Sequence, residues 1–284
     1  KIYYGLLYHI TVRTSFIECA RSHPQLPSPH HPDKAMSERD QLFEQLPQGM
    51  NDFVFDERVV RVFPDMINRS VPGYGLILPM LGVLARRCVQ PGSRVYDLGC
   101  SLGAVSRVVR DAVSVPDVRI IAVDNSADML NRFEQELQQQ PQQQPQQQRR
   151  PQIELVLGDI STTPIEDASL SVLNFTLQFI RRELRQDLLA RIAAGTRPGG
   201  ALVLSEKIRF CDAQEQALQN DWHHDFKRAQ GYSDLEIARK RDALEQVLIP
   251  DTEEEHLARL QAAGWSKAVR WFQCFNFVSY LAIR

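Results

Sequence analysis

The chain has few cysteines, no long apolar run and no excess of charge of one sign. Its five cysteines are odd in number, are scattered along 284 residues and form no C-x-x-C pair. This pattern argues against a disulfide framework and against structural zinc, so no metal is expected. No apolar stretch approaches the ~20 residues that a membrane-spanning helix needs, and no membrane contact is expected. A reducing cytoplasm is the simplest compartment for such a chain.

Positive and negative charges are nearly balanced, with 33 Lys and Arg against 35 Asp and Glu and a net charge of −2. A protein that binds nucleic acid over a broad surface usually carries a basic excess. A broad nucleic-acid surface is therefore not expected, although the balance is compatible with a small basic patch, and no direct binding to nucleic acid is predicted. The length suffices for one large domain with a full hydrophobic core, or for one domain and a smaller lobe.

Residues 1–35 differ in composition from the rest of the chain. Ile2 to Ile10 are apolar and aromatic, and His23 to Asp33 are rich in proline and histidine. No clear small-residue cleavage site follows the apolar part, so a disordered N-terminal extension is favoured over a signal peptide. The pair His30-His31 could bind a metal, but a flexible tail is the preferred interpretation. Met36 looks more like a natural start.

A glutamine run broken by two prolines occupies residues 138–148. Such a segment cannot form a core and indicates a solvated insertion. A dispensable surface loop is favoured over a binding role.

Short apolar segments alternate with amphipathic segments between residues 94 and 205. This alternation is typical of an α/β fold with a parallel sheet covered on both faces. Residues 36–90 add two capping helices on the ligand side, and the last two apolar segments predict an antiparallel hairpin. Residues 36–284 are thus predicted to form a single domain. Strands are predicted at Arg94–Leu98, Arg119–Val123, Ile153–Leu157, Leu170–Phe175, Ala201–Ser205, Lys267–Gln273 and Phe275–Ile283; helices are predicted at Asp56–Arg69, Leu76–Cys88, Ala104–Ala112, Ala127–Leu137 and Glu183–Ala194.

A mostly helical segment, bounded at about residues 209–250, separates the fifth strand from the final hairpin. It is too long for a plain connection and too patterned for a linker. A helical lid or an oligomer contact is the predicted role. A turn at Pro198-Gly199-Gly200 is predicted to lead into the fifth strand.

The segment Val95–Gly103 has the pattern of a buried strand, a tight glycine turn and the first turn of a helix, which opens at about Leu102. Free N–H groups at such a helix start can face a ligand. Many glycine turns only pack a strand against a helix, so both interpretations remain open here. The spacing is not the dinucleotide pattern, because Ser101 holds the place of the middle glycine.

Polar residues follow each of the first four predicted strands, where an open parallel sheet binds its ligands. Asp124 can accept hydrogen bonds from both hydroxyls of a ribose, although it or Asn125 could instead cap the next helix, for which Ser126 is also a candidate cap. Asp159 could bind an adenine amine with Ile160 against the ring. Asn174 lies where a reacting group would sit, and Asp97 ends the first strand.

Several other residues allow two interpretations. Cys100 could be a nucleophile, but the turn needs only a small residue there. His223 and His224 could be acid–base groups, but a structural pair pointing to different sides is favoured. In the run Arg239–Arg241, a solvated charged face competes with one arginine that turns inward and forks onto a carboxylate.

The glycine turn, the acid on the second strand and Gly158-Asp159 together resemble class I S-adenosylmethionine-dependent methyltransferases, which have a Rossmann-like sheet. More specifically, the chain from about Met36 to the C-terminus resembles the bacterial carboxy-S-adenosyl-L-methionine synthases. The glutamine run departs from that family's short loop. The strings that carry the resemblance are Phe55–Val59, Val62–Ile67, Arg69–Tyr74, Tyr96–Gly103, Leu173–Phe179, Leu204–Lys207, His223–Arg228 and Trp271–Phe277.

The resemblance implies an enzyme that uses S-adenosylmethionine as a substrate and prephenate as the source of a carboxylate. Prephenate becomes phenylpyruvate, and the released hydroxide takes a proton from the sulfonium methyl group. The resulting ylide then attacks carbon dioxide. The product implied is carboxy-S-adenosylmethionine, which a separate tRNA carboxymethyltransferase uses at the wobble uridine. A homodimer is also implied.

The resemblance also assigns site residues, with Arg241 holding the new carboxylate. Two other functions compete with this one: an ordinary methyltransferase acting on a small molecule or tRNA, and a non-catalytic protein that carries S-adenosylmethionine. The ordinary methyltransferase needs an open channel to an acceptor and has no use for Arg241, whereas the carrier would bind tightly without turnover. The residues implied around the nucleoside and methionine parts are Tyr74, Gly99, Cys100, Ser101, Asp124, Asn125, Asp159, Ile160 and Asn174.

Overall fold

Seven strands form one sheet, which organises the chain. The computed structural model describes residues 39–40, 42, 57–139, 150–244 and 247–284. The predictions for residues 1–35 and for most of the glutamine run lie outside these ranges. Residues Ser37–Arg284 make one compact unit. Within the described part, no helix has the length and apolar character to cross a membrane.

The predicted strands and helices form in the predicted order, and one further helix at Glu253–Ala262 was not predicted. The strands are β1 (Arg94–Leu98), β2 (Arg119–Asp124), β3 (Gln152–Leu157), β4 (Ala168–Asn174), β5 (Thr196–Lys207), β6 (Lys267–Cys274) and β7 (Phe277–Ile283). The helices are α1 (Glu57–Ser70), α2 (Tyr74–Cys88), α3 (Ala104–Ala112), α4 (Ala127–Gln138), α5 (Arg182–Gly195), α6 (Ala213–Ala229), α7 (Asp234–Leu244) and α8 (Glu253–Ala262).

The strand order across the sheet is β3-β2-β1-β4-β5-β7-β6. Strands β1 to β5 are mutually parallel, whereas β7 runs antiparallel to both β5 and β6. The predicted parallel sheet with a C-terminal antiparallel pair is therefore confirmed. Because the order reverses between β1 and β4, a crevice opens beyond the carboxyl ends of these two strands.

The core lies on both faces of the sheet, as the apolar character of the strands requires. Successive residues of β5 show the division: Leu202 and Leu204 pack with helices α5 and α8, whereas Ala201 and Val203 pack with α2 and α3. Each of these four side chains is fully buried.

Two sequence predictions need correction near the strand ends. Pro198-Gly199-Gly200 is not a turn before β5 but lies inside it, at an irregularity where the pairing with β4 shifts register. Gly199 has φ +75°, a left-handed conformation that lets the strand bend without ending. Phe275, predicted to begin the last strand, has φ +51° and lies in the two-residue turn before Phe277.

The segment predicted as a helical lid or an oligomer contact contains α6 and α7, which we call the lid helices after the first of these two predictions. Asp212 caps α6 by accepting a hydrogen bond from the backbone N–H of Glu215 at 2.8 Å. The lid helices contact the C-terminal end of α1, where the Arg69 Nε donates to the Gln230 carbonyl at 2.8 Å. This contact places the lid beside the carboxyl ends of the parallel strands.

Candidate active site

A cavity of about 690 Å³ lies at the carboxyl ends of β1 to β5, under the lid helices. Its size falls within the range of small-molecule sites. The cavity brings together every site residue that the sequence singled out. These are Tyr74, Gly99, Cys100, Ser101, Asp124, Asn125, Asp159, Ile160, Asn174 and Arg241.

The glycine turn between β1 and α3 forms the floor of this cavity. Gly99 has φ +79°, and a Cβ there would meet the Thr176 side chain closer than real contacts allow. Gly103 has φ +74° and caps α3, and a Cβ there would overlap the Phe133 ring. The helix begins at Ala104 rather than near Leu102 because Gly103 is left-handed. The turn is held to β2 by Gly99 and Cys100, whose N–H groups both donate to the Val123 carbonyl.

Asp124, at the end of β2, holds the glycine turn and the start of α4 together. Its Oδ2 accepts from the Ser101 N–H at 2.8 Å, and its Oδ1 accepts from the Ser126 N–H at 2.9 Å. The cap of α4 is Ser126, whose Oγ accepts from the Met129 N–H, so the capping interpretation of Asp124 gives way to this serine. Each carboxylate oxygen of Asp124 retains acceptor capacity toward the cavity.

Asp97, at the end of β1, is buried and fully engaged by α3. Its Oδ2 accepts from both the backbone N–H and the hydroxyl of Ser106, at 3.0 and 2.6 Å. Burial raises the pKa of Asp97 to about 6 in spite of these bonds. The residue orients the start of α3 beneath the glycine turn.

The side-chain oxygens of Asp159 and Asn174 differ in the hydrogen bonds that they make within the protein. The Oδ1 of Asp159 accepts from the backbone and hydroxyl of Ser161, both at 2.7 Å, and these bonds hold its pKa below the usual value. The Oδ1 of Asn174 is buried and has no partner among the described residues. An unpaired amide oxygen costs free energy unless a ligand supplies a donor. Asn174 therefore fits a ligand-binding role at this position.

Burial decides the chemistry of Tyr74 and Cys100. Both side chains are almost fully enclosed, and burial together with the nearby Asp97 raises the pKa of each far above its ordinary value. The Cys100 thiol consequently stays protonated, which removes the nucleophile interpretation. Tyr74 starts α2 and its ring packs near Phe175, with centroids 6.4 Å apart.

His223 and His224 both line the cavity, so the prediction that they point to different sides is wrong. Their rings are nearly parallel, with centroids 6.3 Å apart. His223 Nε2 donates to the Ser70 carbonyl at 2.9 Å, and its ring meets Phe277 edge-on. Burial lowers the pKa of His223 to about 2, so this imidazole is neutral at physiological pH. The residue anchors the lid helix α6 to the end of α1.

Lys240 anchors the second lid helix. Its Nζ donates to the Ser70 Oγ at 2.7 Å and lies 3.6 Å from the Asp40 carboxylate. The hydroxyl of Tyr232 also donates to Asp40, and the Arg69 guanidinium lies over the Tyr232 ring at 4.0 Å. These buried polar contacts join the lid to α1.

Arg241 lies at the rim of the cavity and remains 61% exposed. Its Nε and Nη2 donate to the Asp242 carboxylate at 3.1 and 2.9 Å. The predicted fork onto a carboxylate is thus made with its own neighbour in this structure. The pair is exposed, so exchanging Asp242 for a ligand carboxylate costs little free energy.

Two cationic residues line the cavity although the sequence did not predict them as site residues. Lys207 ends β5, and Lys227 lies on the cavity side of α6. The rule that polar residues at strand ends face the ligand would have identified Lys207, had it been applied to the fifth strand. No sequence signal distinguishes Lys227 from the exposed charges around it.

The donor chemistry of the site does not suit a metal. Among the described residues, no group of three or more His, Cys, Asp or Glu side chains could hold one. The cavity instead presents backbone N–H groups, hydroxyls, amides and separate carboxylates, which match a nucleoside and an amino acid.

Comparison with known proteins identifies the family. Residues 95–200 match a family model described as a methyltransferase domain. The carboxy-S-adenosyl-L-methionine synthase of Hahella chejuensis is 52% identical over 254 residues, which cover 87% of this chain and 98% of that protein. The protein of the same name from Pseudomonas entomophila is 56% identical over 246 residues, with 87% and 98% covered.

A solved structure with the same architecture is human N-acetylserotonin methyltransferase in complex with SAM. It has a TM-score of 0.52 and 17% identity, over 87% of this chain and 63% of that chain. At this identity the likeness shows the fold alone, and it agrees with the predicted Rossmann-like class I methyltransferase fold. The two curated relatives, by contrast, align over almost their whole length at more than half identity. This chain therefore belongs to the carboxy-S-adenosyl-L-methionine synthase family.

Proposed function

We propose that the protein converts S-adenosyl-L-methionine and prephenate to carboxy-S-adenosyl-L-methionine and phenylpyruvate. The observation that carries this proposal is the identity of 52% over 98% of a relative that bears this enzyme's name. Identity over the full length of the relative includes the lid helices as well as the nucleoside side of the cavity. The proposal assigns the whole activity to residues 36–284, with residues 209–250 as the lid.

The proposed reaction balances without an added oxidant or base. The bond from the prephenate ring to its carboxylate breaks, and the electron pair completes the aromatic ring as hydroxide leaves. The hydroxide takes a proton from the sulfonium methyl group and becomes water. The carbanion that remains forms a carbon–carbon bond with the released carbon dioxide. Phenylpyruvate, water and the carboxylated sulfonium are the products.

The contacts at the cavity floor support the placement of S-adenosylmethionine. Asp124 offers acceptor capacity for ribose hydroxyls, and the unpaired Asn174 oxygen offers an acceptor close to the end of β4. Asp159 and Ile160 provide a carboxylate and an apolar surface for adenine. We propose that Arg241 leaves Asp242 and binds the new carboxylate bidentately.

The position of the lid helices beside the cavity suits this chemistry. A carbanion and free carbon dioxide must be kept from water and from escape until they meet. Buried polar contacts fix the lid helices to α1. The Ser70 carbonyl accepts a hydrogen bond from His223, and the Ser70 hydroxyl accepts one from Lys240. The neutral His223 offers no strong base, and the proposed reaction needs none because hydroxide comes from prephenate.

Two partners also form part of the proposal. We propose a homodimer, and we propose that the product is handed to a separate tRNA carboxymethyltransferase, so that this protein does not bind nucleic acid itself. Sedimentation velocity of the purified protein would give the mass of a dimer. A sedimenting monomer at micromolar concentration would contradict that part.

The experiment that tests the function is a mass-spectrometric assay with S-adenosylmethionine, with and without prephenate, in the absence of tRNA. Prephenate-dependent gain of one carboxyl group on S-adenosylmethionine, matched by an equal amount of phenylpyruvate, is the expected result. Methyl transfer to an added acceptor, or bound and unchanged S-adenosylmethionine, would instead favour an ordinary methyltransferase or a carrier protein.

A further inference from the structure

The charged residues that line the cavity are separated by sign. The acids lie on the side formed by β1, β2, β3 and α4; they are Asp97, Asp124, Glu136 and Asp159. On the side formed by β5 and the lid helices, the charged groups of the described lining are all basic: Lys207, Lys227, Lys240 and Arg241. Arg107 lies on the acidic side but is paired with Glu136 at 2.6 Å.

Lys227 stands out within the basic side because it is buried without a partner. The residue is 8% exposed, and its ammonium makes no hydrogen bond or ion pair with another described residue. Lys240, in contrast, is matched by Ser70 and Asp40. Burial, Lys240 and Lys207 together lower the pKa of Lys227 to about 7. A cation that is buried beside like charges is costly, so an anionic ligand is needed to compensate it.

The position of this cation separates it from the part of the cavity assigned to the nucleoside. In the sheet, β5 lies next to β4 and away from β2 and β3, whose ends carry Asp124 and Asp159. A ligand lying across the ends of β1, β2 and β3 leaves the region of Lys207 and Lys227 for a second molecule. Prephenate carries two carboxylates, so its charge matches this region.

An ion pair with a lysine favours the reaction at only one of these two carboxylates. The leaving carboxylate loses its charge as carbon dioxide forms, so an ion pair there would stabilise the ground state more than the transition state. The carboxylate of the pyruvyl side chain keeps its charge throughout and remains in phenylpyruvate. A lysine paired with it positions the substrate without slowing the reaction.

We propose that Lys227, assisted by Lys207, binds the pyruvyl carboxylate that prephenate retains in phenylpyruvate. The proposal rests on the proposed function. It leaves Arg241 for the carboxylate that is formed on the sulfonium compound. Two separate carboxylates of the reaction thus have two separate cationic sites.

The test uses the variants Lys227→Met, Lys227→Arg and Lys207→Met, with Lys267→Met as control because Lys267 is exposed on the edge strand β6. For Lys227→Met we expect the KM for prephenate to rise about ten- to a hundredfold, the loss typical of a charge-assisted contact. The Kd for S-adenosylmethionine, measured by titration calorimetry, should stay within about twofold of wild type. Lys227→Arg should recover part of the loss, and Lys267→Met should behave as wild type.

Phenylpyruvate provides a readout that does not need turnover. It should bind the complex of wild-type protein with S-adenosylmethionine, and its Kd should rise with Lys227→Met by a factor similar to that for the prephenate KM. If wild type makes no carboxylated product but phenylpyruvate binding still depends on Lys227, the proposed function fails and the anion site stands. An unchanged prephenate KM, or a matching rise in the Kd for S-adenosylmethionine, would overturn the assignment of Lys227. Melting temperatures at or above that of wild type for Lys227→Met would exclude misfolding as the cause.

Discussion

Several titratable side chains of this protein are removed from water by the fold. Asp97 and Glu206 are fully buried acids with raised pKa values, whereas Lys227 is a buried base with a lowered pKa. In each case burial is the largest cause, because a low-dielectric environment disfavours the charged form. Such groups cost stability, and they persist where they bind a ligand or orient a neighbour.

Arg241→Ala should abolish the carboxylated product while S-adenosylmethionine still binds. The side chain is exposed and bonds only to Asp242 in the described contacts, so its removal should not disturb the fold. Mass spectrometry gives the product, and calorimetry gives the Kd for S-adenosylmethionine. Arg239→Ala serves as the matched control on the same helix. Unchanged turnover of Arg241→Ala would exclude the assigned role.

Glu206→Gln should change how stability depends on pH. Burial raises the pKa of Glu206 to about 8 from an ordinary 4.5, although its Oε1 accepts from the Leu177 N–H. Between these two pH values the native state holds a proton that the unfolded state releases, so stability falls as pH rises. Glutamine mimics the protonated acid, and the variant should exceed wild type by about 2–4 kcal/mol at pH 8.

Chemical denaturation at pH 4.5 and pH 8 measures this effect. The difference in the free energy of unfolding between variant and wild type should be near zero at the lower pH and should grow toward the higher one. The exposed Glu183→Gln should show no such trend, since its carboxylate is 63% exposed. A constant difference across the range would contradict the prediction.

The segments that follow α4 and the lid helices differ in how far a substitution or deletion there should disturb the core. The buried residues of α4, which are Met129, Leu130 and Phe133, all precede the glutamine run, and β3 begins only at Gln152. The segment after Leu248 is different, because it leads from the lid into the core through Asp251. A change in the glutamine run and a change at Asp251 should therefore have opposite outcomes.

Replacing Gln138–Gln148 with a short Gly-Ser bridge should leave activity nearly intact. The core side chains of α4 remain, and a long insertion that the sequence predicts to be a surface loop contributes little to stability. The kcat/KM for prephenate should stay within about twofold, which corresponds to less than 0.5 kcal/mol. A large loss of activity with an unchanged melting temperature would reveal a functional role for the run.

Asp251→Asn should destabilise the whole lid region. The carboxylate is 1% exposed and forms ion pairs with Arg185 at 2.5 Å, Arg259 at 2.9 Å and Arg182 at 3.1 Å. Arg185 is fully buried and also donates to the Ile249 carbonyl, so it joins α5 to the end of the lid segment. Removing the charge leaves Arg185 uncompensated, at a cost of about 3–5 kcal/mol.

Urea denaturation measures the free energy of unfolding of Asp251→Asn. The variant Asp187→Asn, at an exposed site on α5, shows whether the loss of any one negative charge has the same effect. The control should match wild type. If the free energy of unfolding of both variants equals that of wild type, the ion pairs of Asp251 with its three arginines do not hold the lid segment.

At the scale of the whole molecule, ligand binding and folding are coupled. The cavity is built from the ends of β1 to β5, from α2 and from the lid helices, so a ligand there contacts elements that are distributed along the unit formed by Ser37–Arg284. A ligand that binds only the native state stabilises it by mass action.

S-adenosylmethionine at a hundred times its Kd should raise the melting temperature by about 5–10 °C, from a stabilisation of about 2.7 kcal/mol. The Asp124→Ala variant should show a smaller shift at the same concentration, because it loses the predicted ribose acceptor. Differential scanning calorimetry measures both. The absence of a shift in wild type would contradict the assignment of the cavity.

The amino-acid sequence was sufficient for the order of the strands, the parallel sheet, the C-terminal hairpin and the helical character of residues 213–244. These depend on local periodicity and on short turns, as the cap Ser126 and the glycine turn illustrate. Helix α8 was missed although Thr252 and Glu255 form a capping box that the sequence displays. The residues predicted at the ends of β1 to β4 line one cavity because parallel strands bring their carboxyl ends to one edge.

Tertiary structure alone decided which charges are buried and which partners they meet. Lys240 meets Ser70 across 170 positions of sequence, and this pairing depends on how the lid packs. The burial of Cys100 and the unpaired state of Lys227 follow from packing by elements distant in sequence. Local patterns predict elements because their causes are local, whereas burial and pKa depend on the whole environment of a side chain. For that reason the sequence could locate the cavity, but only the fold separates its acidic side from its basic side.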